Sequence, residues 1–128
     1  MVAEVLASDD IAAGRNVVEA LDKAKFPVEA AFWLYESNLE RWTLWIATLR
    51  AAEDLGRAYL RVRQILDTVT DRAVLDLPRI RLASPNERTV LAVKSLIDVK
   101  GVSDVRMRHN LGDHGVYIED TLIYRTAA

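Results

Sequence analysis

Two histidines and three carboxylates crowd one glycine-rich turn near the end of the chain: His109, Asp113, His114, Glu119 and Asp120, around the run Asn110-Leu111-Gly112-Asp113-His114-Gly115. Imidazole and carboxylate groups are ligands for divalent metals and can pass a proton near neutral pH, so a small metal-dependent hydrolase could be drawn from them. The spacing argues against it. A hairpin closed by this turn sets His109 opposite Val116, Met107 opposite Ile118, Arg108 opposite Tyr117 and Arg106 opposite Glu119. Glu119 and Asp120 then point to opposite faces and cannot serve one site without a bulge. His109 shares the apolar side with Val105 and Met107. Asp120 falls there too, beside Ile118 and Leu122, and needs a backbone amide, an arginine from a helix or a ligand to offset its burial. The chain has no G-x-S-x-G elbow, no phosphate-binding G-x-x-x-x-G-K, no dinucleotide glycine pattern and no H-E-x-x-H. The reading therefore leans away from an enzyme and assigns no catalytic residue, metal or cofactor.

A second set of residues suits binding. Val28 to Leu49 alternates with period two on both sides of Ser37-Asn38-Leu39 and holds all three tryptophans, which predicts a β-hairpin. With a three-residue turn there, Leu34 faces Trp42 and Phe32 faces Leu44 on a core face, while Trp33, Tyr35, Arg41, Thr43 and Trp45 share the other. Arg79, Arg81, Arg106, Arg108 and Tyr117 are expected on that same outer face. Aromatics with arginine are the composition of protein interfaces, so the expected function is a non-catalytic protein-interaction or oligomerisation module, with a homodimer as its form. The same mixture could stack single-stranded bases or hold another anion. Residues 57–108 carry 11 basic and 6 acidic groups, but the whole chain has a net charge of −2, which opposes phosphate binding and places that alternative second. A structural alternative covers Trp33 and Trp45 with the N-terminal segment or the Thr70 to Pro78 loop.

The elements that must position these residues follow from periodicity. Ile11, Gly14, Val17, Val18 and Leu21 form the stripe of a first helix, with Ser8 as a possible N-cap. Leu55, Tyr59, Val62, Leu66 and Val69 form the seam of a second, supported by the i, i+4 pair Glu53 and Arg57. Arg79 to Ala83 reads as a short strand. Ser84-Pro85-Asn86-Glu87 is a capping box that opens a third helix with Val90, Val93 and Ile97 inward and Gly101 just past its end. Asp104 to His109 and Val116 to Arg125 are the last strands. The order α-β-β-α-β-α-β-β predicts an α+β fold: a mostly antiparallel or mixed five-stranded sheet with three helices on one face, a two-layer sandwich forming a single domain over residues 1–128.

Size and composition agree with a small domain that needs no staples: 128 residues and no cysteine. No apolar run approaches a membrane span and no secretory leader is visible, so a soluble cytoplasmic protein is expected. The phrases AAFWLYES, RWTLWIAT and ASPNE, and above all GVYIEDTLIYR, resemble a group of small uncharacterised bacterial proteins, over most of residues 9 to 125. Lys25 stands before Phe26 where that pattern leads one to expect a glycine. The resemblance implies no activity, cofactor or site residue.

Overall fold

The computed structural model describes residues 5–127. It is an α+β fold with one mixed five-stranded sheet in the order β3-β2-β1-β5-β4. The elements are α1 (Ser8–Lys23), β1 (Ala30–Glu36), β2 (Arg41–Ala47), α2 (Leu49–Glu53), α3 (Leu55–Asp67), β3 (Ile80–Ala83), α4 (Arg88–Lys94), β4 (Val105–Leu111) and β5 (Tyr117–Arg125). Only the β2–β3 pair is parallel; the other pairs run antiparallel.

The hairpin forms, but its turn has four residues, Ser37 to Glu40, with Glu40 at φ 52°. Trp33 therefore pairs with Leu44, Tyr35 with Trp42, Leu34 with Thr43 and Phe32 with Trp45. A slip of one residue moves every side chain of a strand to the other face. The expected division is overturned by it: Trp33, Tyr35, Trp42, Leu44 and Ile46 look toward α1 and α3, while Phe32, Leu34, Thr43 and Trp45 look the other way. Both sets are buried, because the layering also differs from the expected sandwich. Val17, Val18 and Leu21 of α1 and Val62, Ile65 and Leu66 of α3 cover the first face. Val90, Ala92 and Val93 of α4, with Val99 beyond it, cover the second. A strand buried on both sides has no wet face, so β1 and β2 show nearly continuous burial despite their alternating pattern.

Helix boundaries follow local chemistry that the apolar seam does not report. The predicted second helix is two, because Asp54 leaves helical geometry at φ −160°, ψ 100° and caps α3 by accepting from Arg57 N. Glu53 then pairs with Arg50 at 3.4 Å, not with Arg57. Ser84 Oγ accepts from Asn86 N in a turn, and Glu87, not Ser84, caps α4 through Thr89 N. α4 ends at Lys94, well before Gly101, and α1 begins at Ser8 itself, after Ala7.

At the end of α1 the amide of Phe26 bonds Leu21 O and that of Lys25 bonds Asp22 O, a Schellman pair that places Lys25 at the left-handed position with φ 61°. In mid-helix, Gly14 lets β1 and β5 approach: a Cβ there would lie 2.6 Å from Tyr124 Oη and 2.7 Å from Trp33 Nε1. The two sites predict opposite effects. Gly14→Ala should destabilise by about 1–3 kcal/mol through overpacking, whereas Lys25→Gly should stabilise by up to about 1 kcal/mol by removing the left-handed Cβ penalty. Urea unfolding of both variants beside the parent checks the pair.

Candidate functional site

The ten residues expected on one outer face are divided among several places. Trp33 and Trp45 are buried on opposite faces, and Tyr35 lies with Trp33 under the helix layer. Each tryptophan carries an arginine against its ring. Arg79 lies 5.3 Å from the Trp33 centroid, Arg81 4.4 Å from that of Trp45 and Arg106 5.3 Å from that of Trp42. Each of these arginines also meets an acid: Arg79 holds Asp10 through two bonds of 2.8 and 3.0 Å, Arg106 holds Asp120 through two of 2.7 and 2.8 Å, and Arg81 lies 4.0 Å from Glu36. The Arg79 hydrogen bond holds the Asp10 carboxyl below its ordinary pKa, and the Asp120 bond holds Arg106 above its own. The array is built to cover aromatic rings with neutralised cations.

The β4–β5 pairing explains Asp120. The register is three residues away from the expected one, so Arg108 lies opposite Asp120, Arg106 opposite Leu122 and Met107 opposite Thr121. Asp120 thus receives its arginine from the neighbouring strand, with Arg108 at 3.5 Å on the same carboxylate. The expected Arg106–Glu119 and Arg108–Tyr117 contacts are replaced. Tyr117 instead stacks on His109, whose Nδ1 lies 2.7 Å from the phenol oxygen. His109 is exposed and left-handed at φ 52°, not on the apolar side. Asp113 and His114 lie in the turn, where Arg88 donates to His114 O and Asp113 N donates to Ser95 Oγ. Among the described residues no group of three or more His, Asp or Glu side chains could hold a metal ion. No helix among them is long and apolar enough to cross a membrane.

What faces solvent is the rim. β4 is an edge strand, bonded in the sheet to β5 on one side only. Its end carries Leu111, 72% exposed, opposite Tyr117, 57% exposed. The β1–β2 turn at the same end of the sheet shows Leu39 at 47%. Arg108 is exposed along β4, while Arg41 is exposed at the start of β2.

Sequence reasoning missed Arg125, a buried cation with every group engaged. It donates to Asp22 at 2.9 and 2.6 Å, to Gly101 O at 2.6 Å and to Val28 O at 3.2 Å. Its place at the end of an apolar strand was the available signal, since a terminal arginine there must lie against either solvent or an acid. Comparison with family models, with curated proteins and with solved structures found no match.

The buried phenol of Tyr124 has a testable consequence for pH. Burial pushes its pKa up from 10.0 to about 12, against the opposing bond from Trp33. The folded state resists forming the tyrosinate, so this contribution is whole below pH 10 and is lost as pH rises toward 12. Two units correspond to about 3 kcal/mol. Denaturation midpoints measured across that range should fall steeply in the parent, and this limb should be missing in Tyr124→Phe.

Proposed function

We propose that the protein is a non-catalytic interaction module that accepts an extended, acidic segment of a partner along the free edge of β4. The observation that carries this reading is the edge itself: seven residues, paired on one side, ending in exposed Leu111 and Tyr117. An edge strand is a template for one more strand, whose backbone supplies affinity and whose side chains supply specificity. Charge selects the partner. Arg106 and Arg108 share the single carboxylate of Asp120, which leaves the strip net positive. Two copies pairing β4 with β4 about its centre would oppose arginine to arginine, and like charges set opposite across a ladder repel. A strand bearing acids gains where a second copy loses. Nucleic acid is the weaker reading, because Arg79, Arg81 and Arg106 already meet carboxylates and the chain as a whole is acidic.

Fluorescence anisotropy with an alternating glutamate–valine peptide and its lysine–valine counterpart tests the idea. The acidic peptide should bind and slow hydrogen exchange in β4, and Arg108→Glu should reverse the preference. If neither peptide binds and the β4 amides exchange equally fast with and without them, the reading falls. A dimer seen by light scattering and lost in Leu111→Asp, without any peptide preference, would return a second copy as the partner.

A further inference from the structure

We infer that the groove at the elbow between α2 and α3 is a binding site for a small organic phosphate, on elements separate from the β4 edge. The groove is open on one side and has a volume of about 450 Å³, within the range of small-ligand sites. Four cations line it from three elements: Lys25 from the end of α1, Arg50 from α2, and Arg57 and Arg61 from α3. Arg57 and Arg61 are one helical turn apart and so share a face of α3. Among the described residues Lys25, Arg57 and Arg61 make no ion pair, in contrast to the arginines on the tryptophans.

Two acids also line the groove, and both are engaged. Glu53 faces Arg50 at 3.4 Å, and Asp54 accepts from Arg57 N as the cap of α3. The helix end is therefore occupied, and the side-chain cations make the site. Four positive charges against two negative ones call for a ligand of about two negative charges. Guanidinium forks match carboxylate and phosphate oxygens alike in pairs, and the three oxygens of a phosphate can meet two forks at once, as Arg57 and Arg61 would require. Phe26 and Pro27 supply an apolar wall, and a neighbouring depression of about 440 Å³ continues past Pro27 to Leu49, which is 55% exposed. That extension suits the uncharged body of the ligand. A long polyanion is disfavoured, because residues 1–56 carry 10 acidic groups against 5 basic ones.

Lys25 is the sharpest sign. Its left-handed backbone at φ 61° is a position where glycine costs less, yet the chain keeps a cation there that lines the groove.

The probes are ADP, pyrophosphate and citrate, followed at low salt by calorimetry and by amide chemical shifts of the full chain. ADP should bind in the sub-millimolar range and more tightly than pyrophosphate, with citrate weakest. Shifts should gather at residues 24–27 and 49–61, and affinity should fall as salt rises. Arg57→Glu combined with Arg61→Glu should weaken ADP at least tenfold, and Lys25→Gly should weaken it several-fold in a protein that melts no lower than the parent. Lys100→Ala, at an exposed residue outside both sites, should leave affinity unchanged. No heat with ADP, shifts scattered over other arginines, or affinity untouched by Lys25→Gly and the double variant would each overturn the site. Equal affinity for ADP and pyrophosphate would overturn the organic half of the assignment.

Discussion

One chain of hydrogen bonds sets the spacing of the helix layer on the sheet. The indole N–H of Trp33 donates to Tyr124 Oη over 2.9 Å, and that hydroxyl donates to Ile11 O over 2.5 Å. Strands β1 and β5 and helix α1 are tied by it where the Trp33 and Tyr124 side chains are fully buried, so each polar group must find its partner within the chain. The link requires Tyr124 to face the helices. It does so by strand alternation, two residues after Leu122 on the same face, and the β1–β5 register shift between Ala31 and Phe32 leaves it between the paired residues Ile123 and Arg125. Arg125 then reaches Asp22 near the other end of α1, so one strand holds the helix near both ends.

The arginines extend the same logic to the edges of the core. Arg79, Arg106 and Arg81 close over the rings of Trp33, Trp42 and Trp45. A carboxylate beside each guanidinium neutralises the charge that would otherwise resist lying on apolar surface. Aromatics interleaved with arginine therefore serve stability here, although their composition alone is that of a contact surface. Trp45 shows the limit of the arrangement: its Nε1 is buried without a hydrogen-bond partner, a cost that its stacking on Phe32 at 5.9 Å helps to offset.

The sequence made the five strands, the element order apart from the split of the second helix, and the buried stripe of α1 legible, because each rests on periodicity over many residues. The faces of the hairpin were not legible, because they depend on one turn residue: Glu40 at φ 52° adds a fourth position to the loop, and nothing about glutamate announces a left-handed backbone. The same holds at His109 and Lys25, both left-handed without glycine. Asp54 and Glu87 set helix starts as single side-chain acceptors inside otherwise continuous helical patterns. The groove beside Lys25 was invisible for another reason. Its lining residues are scattered from 24 to 61, and only the fold brings them together. The phrase GVYIEDTLIYR, by contrast, lies almost wholly in β5, whose Asp120, Thr121, Tyr124 and Arg125 all make specific side-chain bonds.

The last strand of the described chain is not at the edge of the sheet but inside it, between β1 and β4. The Trp33–Tyr124 bond spans 91 residues, and closing such a loop costs about 4 kcal/mol of chain entropy before any contact repays it. During synthesis the β1–β2 hairpin is complete long before β5 exists. At about 5–20 residues per second the wait from Ala47 to Tyr117 is roughly 3.5 to 14 seconds. Throughout it, a ribbon that is apolar on both faces lacks its central neighbour β5, and until Lys94 is made it lacks α4 as well. The nascent chain is therefore most vulnerable to misassembly in that interval, and a chaperone that shields this hairpin would act on yield without touching the stability of the finished fold.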